Sequence, residues 1–269
     1  MPGRDANYAS KYVPREGGRP VYVYSEDWQA VRDEEKYHRV QLVDCELDGI
    51  EAAIRELLQS RHPADRQLGA AAALIVQGRM RAGSGYRGTR NFGAQNLQKR
   101  HFTLLDDGAL LIEYAGKGGV EQEREITDPL LVETLVRLGA GKRSRKPIFP
   151  NLSYRRLLDW FDQFGLLPKD FRTWWAARLF RECTQILHTH PLAEDEAERL
   201  AQVETEIRRV LEHIAEMLGH TPDTAKRSYV QGDLIEEFRQ LRLRRMDDLP
   251  IATPLECPII RKRGKLASA

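Results

Sequence analysis

The chain has 269 residues, of which 41% are hydrophobic and 30% charged, so it can bury a core as one large or two small domains. No apolar run reaches the roughly 20 residues of a membrane span, and the polar start lacks a secretory h-region, so we expect a cytoplasmic protein without a membrane partner. The net charge of +2 neither requires nor excludes nucleic acid, and three cysteines without a Cys-x-x-Cys pair argue against a disulfide scaffold or zinc ribbon.

The N-terminal third predicts an arm, a strand and two helices. The polar stretch 1–18 predicts a disordered or loosely attached arm. The β-rich "RPVYVYSEDW" predicts a short strand near Val21–Tyr24. "ELDGIEAAIRELLQS", residues 46–60, has apolar residues at helical spacing, and Pro63 can open the helix that follows. The Gly- and Asn-rich stretch 81–96 then predicts a loop.

The middle of the chain predicts a small sheet, and the remainder predicts helices. Three short β-like runs follow the loop: "RHFTL", "ALLIEYA" and "VEQEREIT". The last two flank "GKGG", which indicates a tight hairpin turn. Asp128 and Pro129 cap a helix, "KRSRKP" is a polar connector, and further helices are predicted over 153–165, 169–187, 194–218 and 234–243. We therefore predict an α+β fold, mostly helical with a small three-stranded antiparallel sheet, preceded by a short strand-helix segment.

Five side chains have the chemistry that transfer of a phosphodiester to a tyrosine requires. Two arginines, Arg81 and Arg172, can present planar donor forks to the phosphate. Lys117, on the mobile turn, can protonate the leaving sugar oxygen. His220 can add a donor for the developing charge, and Tyr229 can attack phosphorus. The phosphotyrosine bond keeps the energy for religation, so we expect no cofactor, neither metal nor ATP.

Four ordered motifs resemble the type IB DNA topoisomerases, the tyrosine enzymes of bacteria and poxviruses. "RAGSGY" with "NFGAQNLQKRH" resembles their first-arginine loop, which implies Arg81 as a phosphate ligand. "EYAGKGG" resembles their hairpin and implies Lys117 as general acid. "KDFRTW" is similar to a shared block and implies Arg172 as second arginine, with Lys169 as an auxiliary phosphate contact.

The fourth motif, "LGHTPDTAKRSY", resembles the C-terminal block of the family and implies His220 as oxyanion donor and Tyr229 as nucleophile. The resemblance, which reaches from Val21 to about Glu237, implies an enzyme that relaxes supercoiled duplex DNA. We expect a DNA-binding monomer, nucleoid-associated in a bacterial cell, with a catalytic domain over 46–247 and a basic tail over 248–269. Further DNA contacts are expected from Lys169, Tyr86, Arg100, His101, Lys226 and Arg227.

The chain also departs from the family pattern. The family's N-terminal β-domain closes over DNA, whereas here we expect only a reduced segment over 1–45, with a partner protein as an alternative source of the other clamp half. Many bacterial members have Asn where this chain has His220. These departures bear on grip and site preference more than on chemistry.

Alternative interpretations remain open for the whole chain and for single residues. A tyrosine recombinase uses the same chemistry but usually has His-x-x-Arg where this chain has Lys169 to Arg172. A DNA-binding relative without catalysis is the third possibility. Tyr86 could instead pack its loop, and Tyr229 could be a core aromatic, although its polar surroundings favour exposure. His188 and His190 form a His-x-His pair, but we expect no metal site because no third ligand lies nearby.

Overall fold

The computed structural model describes residues 8–12, 21–83, 91–188 and 190–243. Tyr86 and the predicted basic tail lie outside these residues. The helices of the described part are α1 (Glu26–Gln59), α2 (Pro63–Val76), α3 (Pro129–Gly139), α4 (Tyr154–Asp162), α5 (Asp170–Leu187), α6 (Glu196–Leu218), α7 (Pro222–Ser228) and α8 (Gly232–Leu243). The strands are β1 (Tyr8–Tyr12), β2 (Val21–Tyr24), β3 (Phe102–Leu104), β4 (Leu110–Ala115) and β5 (Glu121–Ile126).

The N-terminal segment has more regular structure than its sequence predicted. The strand predicted at Val21–Tyr24 is confirmed as β2, but it pairs antiparallel with β1. The prediction of a disordered or loosely attached arm is therefore wrong for β1, which has too few apolar residues to be recognised without its partner strand.

Helix α1 begins at Glu26, whereas apolar periodicity predicted a start at residue 46. The hydroxyl of Ser25 accepts a hydrogen bond from the Trp28 amide at 3.3 Å, and two acidic residues favour the first turn. The early turns are charged and bury little, so they lack the stripe that marks an amphipathic helix. The domain boundary predicted at residue 45 falls inside this continuous helix.

The predicted three-stranded sheet is confirmed, with β4 paired antiparallel to both β3 and β5. On β5 the glutamates face outward, and Gln122, Arg124 and Ile126 are buried. Two of these three inward positions are polar, which is unusual for a core face.

Two apolar clusters fill the interior, and α5 belongs to both. The first cluster joins α1 to α4 with the sheet around the almost fully buried α2. The second joins α5 to α8. The indole of Trp174 donates to Asp44 at 2.6 Å and that of Trp175 donates to the Val76 carbonyl at 2.7 Å, so both tryptophans fix α5 to the first cluster.

A buried ion pair fastens α8 to α6. Arg242 is 2% exposed and donates to both carboxylate oxygens of Glu206, at 2.7 and 3.0 Å, and to the carbonyl of His190 at 3.0 Å. In the sequence between these two helices lies α7, which begins at Pro222 and is capped by the Thr221 hydroxyl. None of the helices in the described ranges combines the length and apolar content that crossing a membrane requires.

Candidate active site

Residues from distant parts of the chain meet in one cleft of about 410 Å³. Four of the five predicted catalytic groups line it: Arg81, Lys117, Arg172 and Tyr229. The fifth, His220, stacks on the ring of Tyr229, with ring centroids 4.9 Å apart and planes 13° from parallel. The sequence therefore identified a set of side chains that the fold brings together, although their roles stay predictions.

Arg172 lies in the first turn of α5, 3% exposed, and is held by two carbonyls. One terminal nitrogen donates to Arg79 at 3.1 Å and the other to Leu218 at 2.6 Å, while Nε has no partner. Burial, with a smaller contribution from Arg81, lowers the pKa of Arg172 to about 10. Its guanidinium carbon lies 5.4 Å from the centroid of the Tyr229 ring. A buried arginine so placed is suited to receive an anion.

Arg79 presents its carbonyl to Arg172 from a left-handed backbone conformation. Its φ of 56° is the one positive value among the non-glycine residues that the structure describes. Such a conformation costs on the order of 1–2 kcal/mol for a residue with a Cβ. The guanidinium stacks over Trp175 at 5.4 Å, which helps to hold the turn. Sequence reasoning missed Arg79, because nothing in an arginine beside Gly78 signals a left-handed turn.

The loop that carries Arg81 is closed by a glycine. The carbonyl of Arg81 accepts the amide of Ala94 at 2.8 Å, and a Cβ at Gly93 would lie 2.6 Å from that same oxygen. Only glycine allows this close approach of two backbones. The loop is joined to the hairpin of Lys117, because the Phe92 amide donates to the Ala115 carbonyl at 2.7 Å.

Lys117 is exposed on the tight turn that "GKGG" predicted. The turn is closed by the Gly116 amide, which donates to the Val120 carbonyl at 2.8 Å. Gly118 and Gly119 both have positive φ, 77° and 76°, and nothing lies within 4 Å of where their Cβ atoms would be. The open space around the turn leaves room for the lysine to approach a substrate bound in the cleft.

Tyr229 follows α7 directly and is half-buried, less exposed than its polar sequence context predicted. Burial raises the pKa of its phenol, but the positive charges of Arg172, Arg81 and Lys117 outweigh it, so the pKa is lowered overall. The preceding Ser228 carbonyl lies 3.5 Å from Lys36 Nζ of α1, which links the first helix to this segment.

His220 is oriented by its own neighbour. Its Nδ1 lies 3.1 Å from the carbonyl of Thr221, while its Nε2 is buried without a partner. Burial lowers the pKa of His220 to about 4; the Thr221 carbonyl opposes this shift, and the charges of Arg172 and Arg81 add to it. Near neutral pH the ring is therefore neutral in the free protein. The proton is on Nδ1, which donates it in a hydrogen bond to the Thr221 carbonyl, and Nε2 carries a lone pair.

Gln122 and Arg124, which sequence reasoning also missed, link the hairpin to the turn before His220. Gln122 of β5 lies against Gly219: its Nε2 is 3.5 Å from the Gly219 carbonyl and donates to the Glu121 carbonyl at 3.1 Å. Arg124 donates to Gln122 Oε1 at 3.1 Å. We name Gln122 and Arg124 the polar brace. The alternation in "EQEREI" puts both on the face of Ile126, a signal that could have identified them.

The cleft holds an excess of positive charge. Arg81 and Arg172 line it, while Arg79 contacts Arg172 through its carbonyl and the charge of Arg124 acts on Arg172. Within the described ranges none of the four arginines forms an ion pair with a carboxylate, and three of them retain a buried Nε without a partner. Burial lowers the pKa of Arg79 and Arg124, and the two charges repel each other. Glu182 acts on Arg79 and Glu123 acts on Arg124, but neither carboxylate lies within ion-pair distance. The remaining positive charge therefore favours an anionic ligand in the cleft.

The predicted DNA contacts fall in different places. Lys169 lines the cleft, and Arg100 is exposed. Lys226 and Arg227 are exposed on α7, where Arg227 pairs with Asp223 at 3.3 Å. His101 is 7% exposed and accepts the Gln98 amide at 3.1 Å, and burial lowers its pKa to about 4. The described residues contain no cluster of three or more potential metal ligands.

The family model "Eukaryotic DNA topoisomerase I, catalytic core" matches residues 25–244, and the chain belongs to this family. Among curated proteins, the DNA topoisomerase I of Monkeypox virus and the DNA topoisomerase 1B of Vaccinia virus (strain Copenhagen) are both similar to it. Each is 26% identical over 147 residues, a region that covers 54% of this chain and 44% of the relative. Both are viral, so they lend no support to the expectation of a bacterial enzyme.

Proposed function

We propose that the chain is a type IB DNA topoisomerase, which relaxes supercoiled duplex DNA without ATP or metal. The observation that carries this proposal is the convergence of Arg81, Lys117, Arg172 and Tyr229 on one cleft, with His220 stacked against the tyrosine. Family membership supports the reaction class over a site-specific recombinase.

In the proposed cleavage step, the Tyr229 oxygen attacks phosphorus and the bond from phosphorus to the 5′ oxygen breaks. The lowered pKa of the phenol favours loss of its proton to solvent. Lys117, exposed on its glycine turn, gives a proton to the leaving 5′ oxygen. The product is a 3′-phosphotyrosyl link and a free 5′ hydroxyl end, which swivels. Religation is the same step in reverse, with the protons returned.

Charge that develops on the two non-bridging oxygens is met by fixed donors. Arg172 is already anchored by two carbonyls, so little reorganisation is needed when phosphate arrives. Arg81 supplies the second fork. Because the Nδ1 proton of His220 is committed to Thr221, Nε2 can donate only when the ring is protonated, and the bound phosphate anion favours that state.

Duplex DNA is the proposed partner, held mainly through phosphates, with Lys169 on the cleft wall as one contact. We propose that the enzyme acts as a monomer on nucleoid DNA. Because α1 is continuous through residue 45, we propose a catalytic unit that contains the whole of this helix, over residues 25–244, in place of the expected 46–247. Tyr86, Lys226 and Arg227 remain proposed contacts.

The proposal is tested by relaxation of a supercoiled plasmid in EDTA without ATP. We expect wild type to relax it and to leave a covalent protein–DNA adduct after denaturation, whereas Tyr229→Phe does neither. Tyr154→Phe is the matched control, because Tyr154 lines the same cleft and its loss should leave adduct formation intact. A plasmid that stays supercoiled with wild type, or an adduct formed by Tyr229→Phe, would refute the proposal.

A further inference from the structure

A surface of four exposed cations lies beside the cleft and has no role in the proposed reaction. We name it the basic patch: Arg100, Arg143, Arg145 and Lys146. In the part of the chain that the structure describes, none of the four forms an ion pair with a carboxylate. Unpaired exposed cations in one cluster are the usual footprint of a polyanionic partner.

The backbone fixes the patch rather than leaving it on a loose connector. The amide of Arg100 donates to the Ser144 carbonyl at 2.8 Å, and that of Lys99 donates to the Lys146 carbonyl at 3.0 Å. From inside the turn, Lys142 donates to the carbonyls of Pro147 and Ile148 at 3.1 and 2.8 Å. The "KRSRKP" segment is thereby tied to the residues before β3, and its outward cations are held beside Arg100.

One contact joins the patch to the cleft. The guanidinium of Arg100 lies 5.6 Å from the centroid of the Phe92 ring, and Phe92 itself lines the cleft. Phe92 is bonded through its amide to the strand that leads to Lys117. When one phosphate of a duplex occupies the cleft, the neighbouring phosphates extend away from it along the backbone. The positive charge of the patch favours the orientation in which these phosphates lie over the patch.

We propose that the basic patch is a second phosphate-binding surface, which grips the duplex backbone next to the cleaved phosphodiester. This inference rests on the proposed DNA substrate. The phosphates of a duplex recur along a continuous backbone, so cations of the patch can bind them without reading bases. The patch would add affinity and processivity to the enzyme but no chemistry.

The test measures binding of the full chain to a short duplex by fluorescence anisotropy across a salt series. Each neutralised phosphate adds about 0.9 to the slope of log K against log salt. Arg143→Gln, Arg145→Gln and Lys146→Gln together should reduce the magnitude of that slope by about 2 to 3. Between 50 and 200 mM salt, wild type should then lose about 40-fold more affinity than the variant, if all three contacts are made.

The matched control removes three exposed arginines from α5 and α6, Arg181, Arg208 and Arg209, with the same change in charge. We expect the control to keep the wild-type slope. A patch variant with Arg143→Lys and Arg145→Lys should also keep it, since lysine retains the charge. Thermal unfolding is measured alongside, and because the substituted side chains are exposed, the melting temperature should not change.

The outcomes separate this inference from the proposed function. If wild type relaxes plasmid but the patch variant and the control have the same slope, the patch is not a phosphate-binding surface and the proposed function stands. If the patch variant has a smaller salt slope than wild type and the control, but wild type forms no covalent adduct, the patch binds phosphates and the proposed function fails. If wild type does not bind duplex DNA at all, both fail.

Discussion

Replacement of Gly219 by alanine should test the polar brace directly. Gly219 ends α6 with φ of 64°, and a Cβ there would lie 1.7 Å from Gln122 Oε1. Gln122 is a flexible side chain, so it should swing away rather than distort the backbone. It then loses its contact with the Gly219 carbonyl and the bond that it accepts from Arg124.

The loss in the free energy of unfolding of Gly219→Ala has two contributions. A left-handed alanine costs about 1 kcal/mol in place of glycine. The displaced brace loses the Arg124–Gln122 hydrogen bond, which deprives the buried Arg124 of one acceptor, and the weak 3.5 Å contact with the Gly219 carbonyl, together about 1–3 kcal/mol. The free energy of unfolding should therefore fall by about 2–4 kcal/mol.

Gly141→Ala supplies the matched control, because Gly141 has φ of 67° and nothing within 4 Å of its Cβ position. It should lose only the backbone contribution, about 1 kcal/mol. Both variants are compared by urea unfolding and by single-turnover cleavage, in which Gly219→Ala should be slower because His220 follows directly. Equal losses of stability in Gly219→Ala and Gly141→Ala would refute the reasoning.

Three further perturbations have expected outcomes. Glu206→Gln leaves Arg242 buried without its counter-charge and should cost about 3–5 kcal/mol in urea unfolding; a loss under 1 kcal/mol would show that the pair is not buried in solution. Arg79→Gly should relieve the left-handed strain and keep the carbonyl contact to Arg172, so cleavage should stay within about threefold of wild type. The pKa of His220 is about 4 when folded against 6.5 ordinarily, so the unfolded chain protonates first and stability falls as pH drops from 6.5 toward 4. His220→Asn should lessen that fall, and an unchanged pH dependence would contradict it.

The sequence predicted the helical body and the three-stranded sheet because both depend on local patterns. Motifs that resemble the family picked out four side chains that line the cleft and His220, which stacks on one of them. Helices α2 and α3 begin at Pro63 and Pro129, where proline at the first turn marked them. The turn that carries Lys117 could be predicted from its glycines alone. Ordered motifs identified the cleft residues, since chemistry restricts which residue types can serve there.

What the sequence did not predict depends on contacts between distant residues. The first turns of α1 carry no apolar stripe, so their helical state was hidden. The strand β1 depends on its pairing with β2 and has no sequence pattern of its own that predicts it. Arg79 gives no local sign of its positive φ, which Arg172 and Trp175 help to impose from another helix. The brace was visible as an alternation on β5, but its partner Gly219 lies 97 residues away.

The four arginines in and around the cleft, which form no ion pair with a carboxylate of the described residues, also affect the stability of the free protein. Their mutual repulsion acts in the free protein and is relieved once a phosphate arrives, so folding and substrate binding are thermodynamically linked. With the proposed DNA substrate bound, the protein should therefore unfold at a higher temperature and be cleaved more slowly by proteases than it is alone.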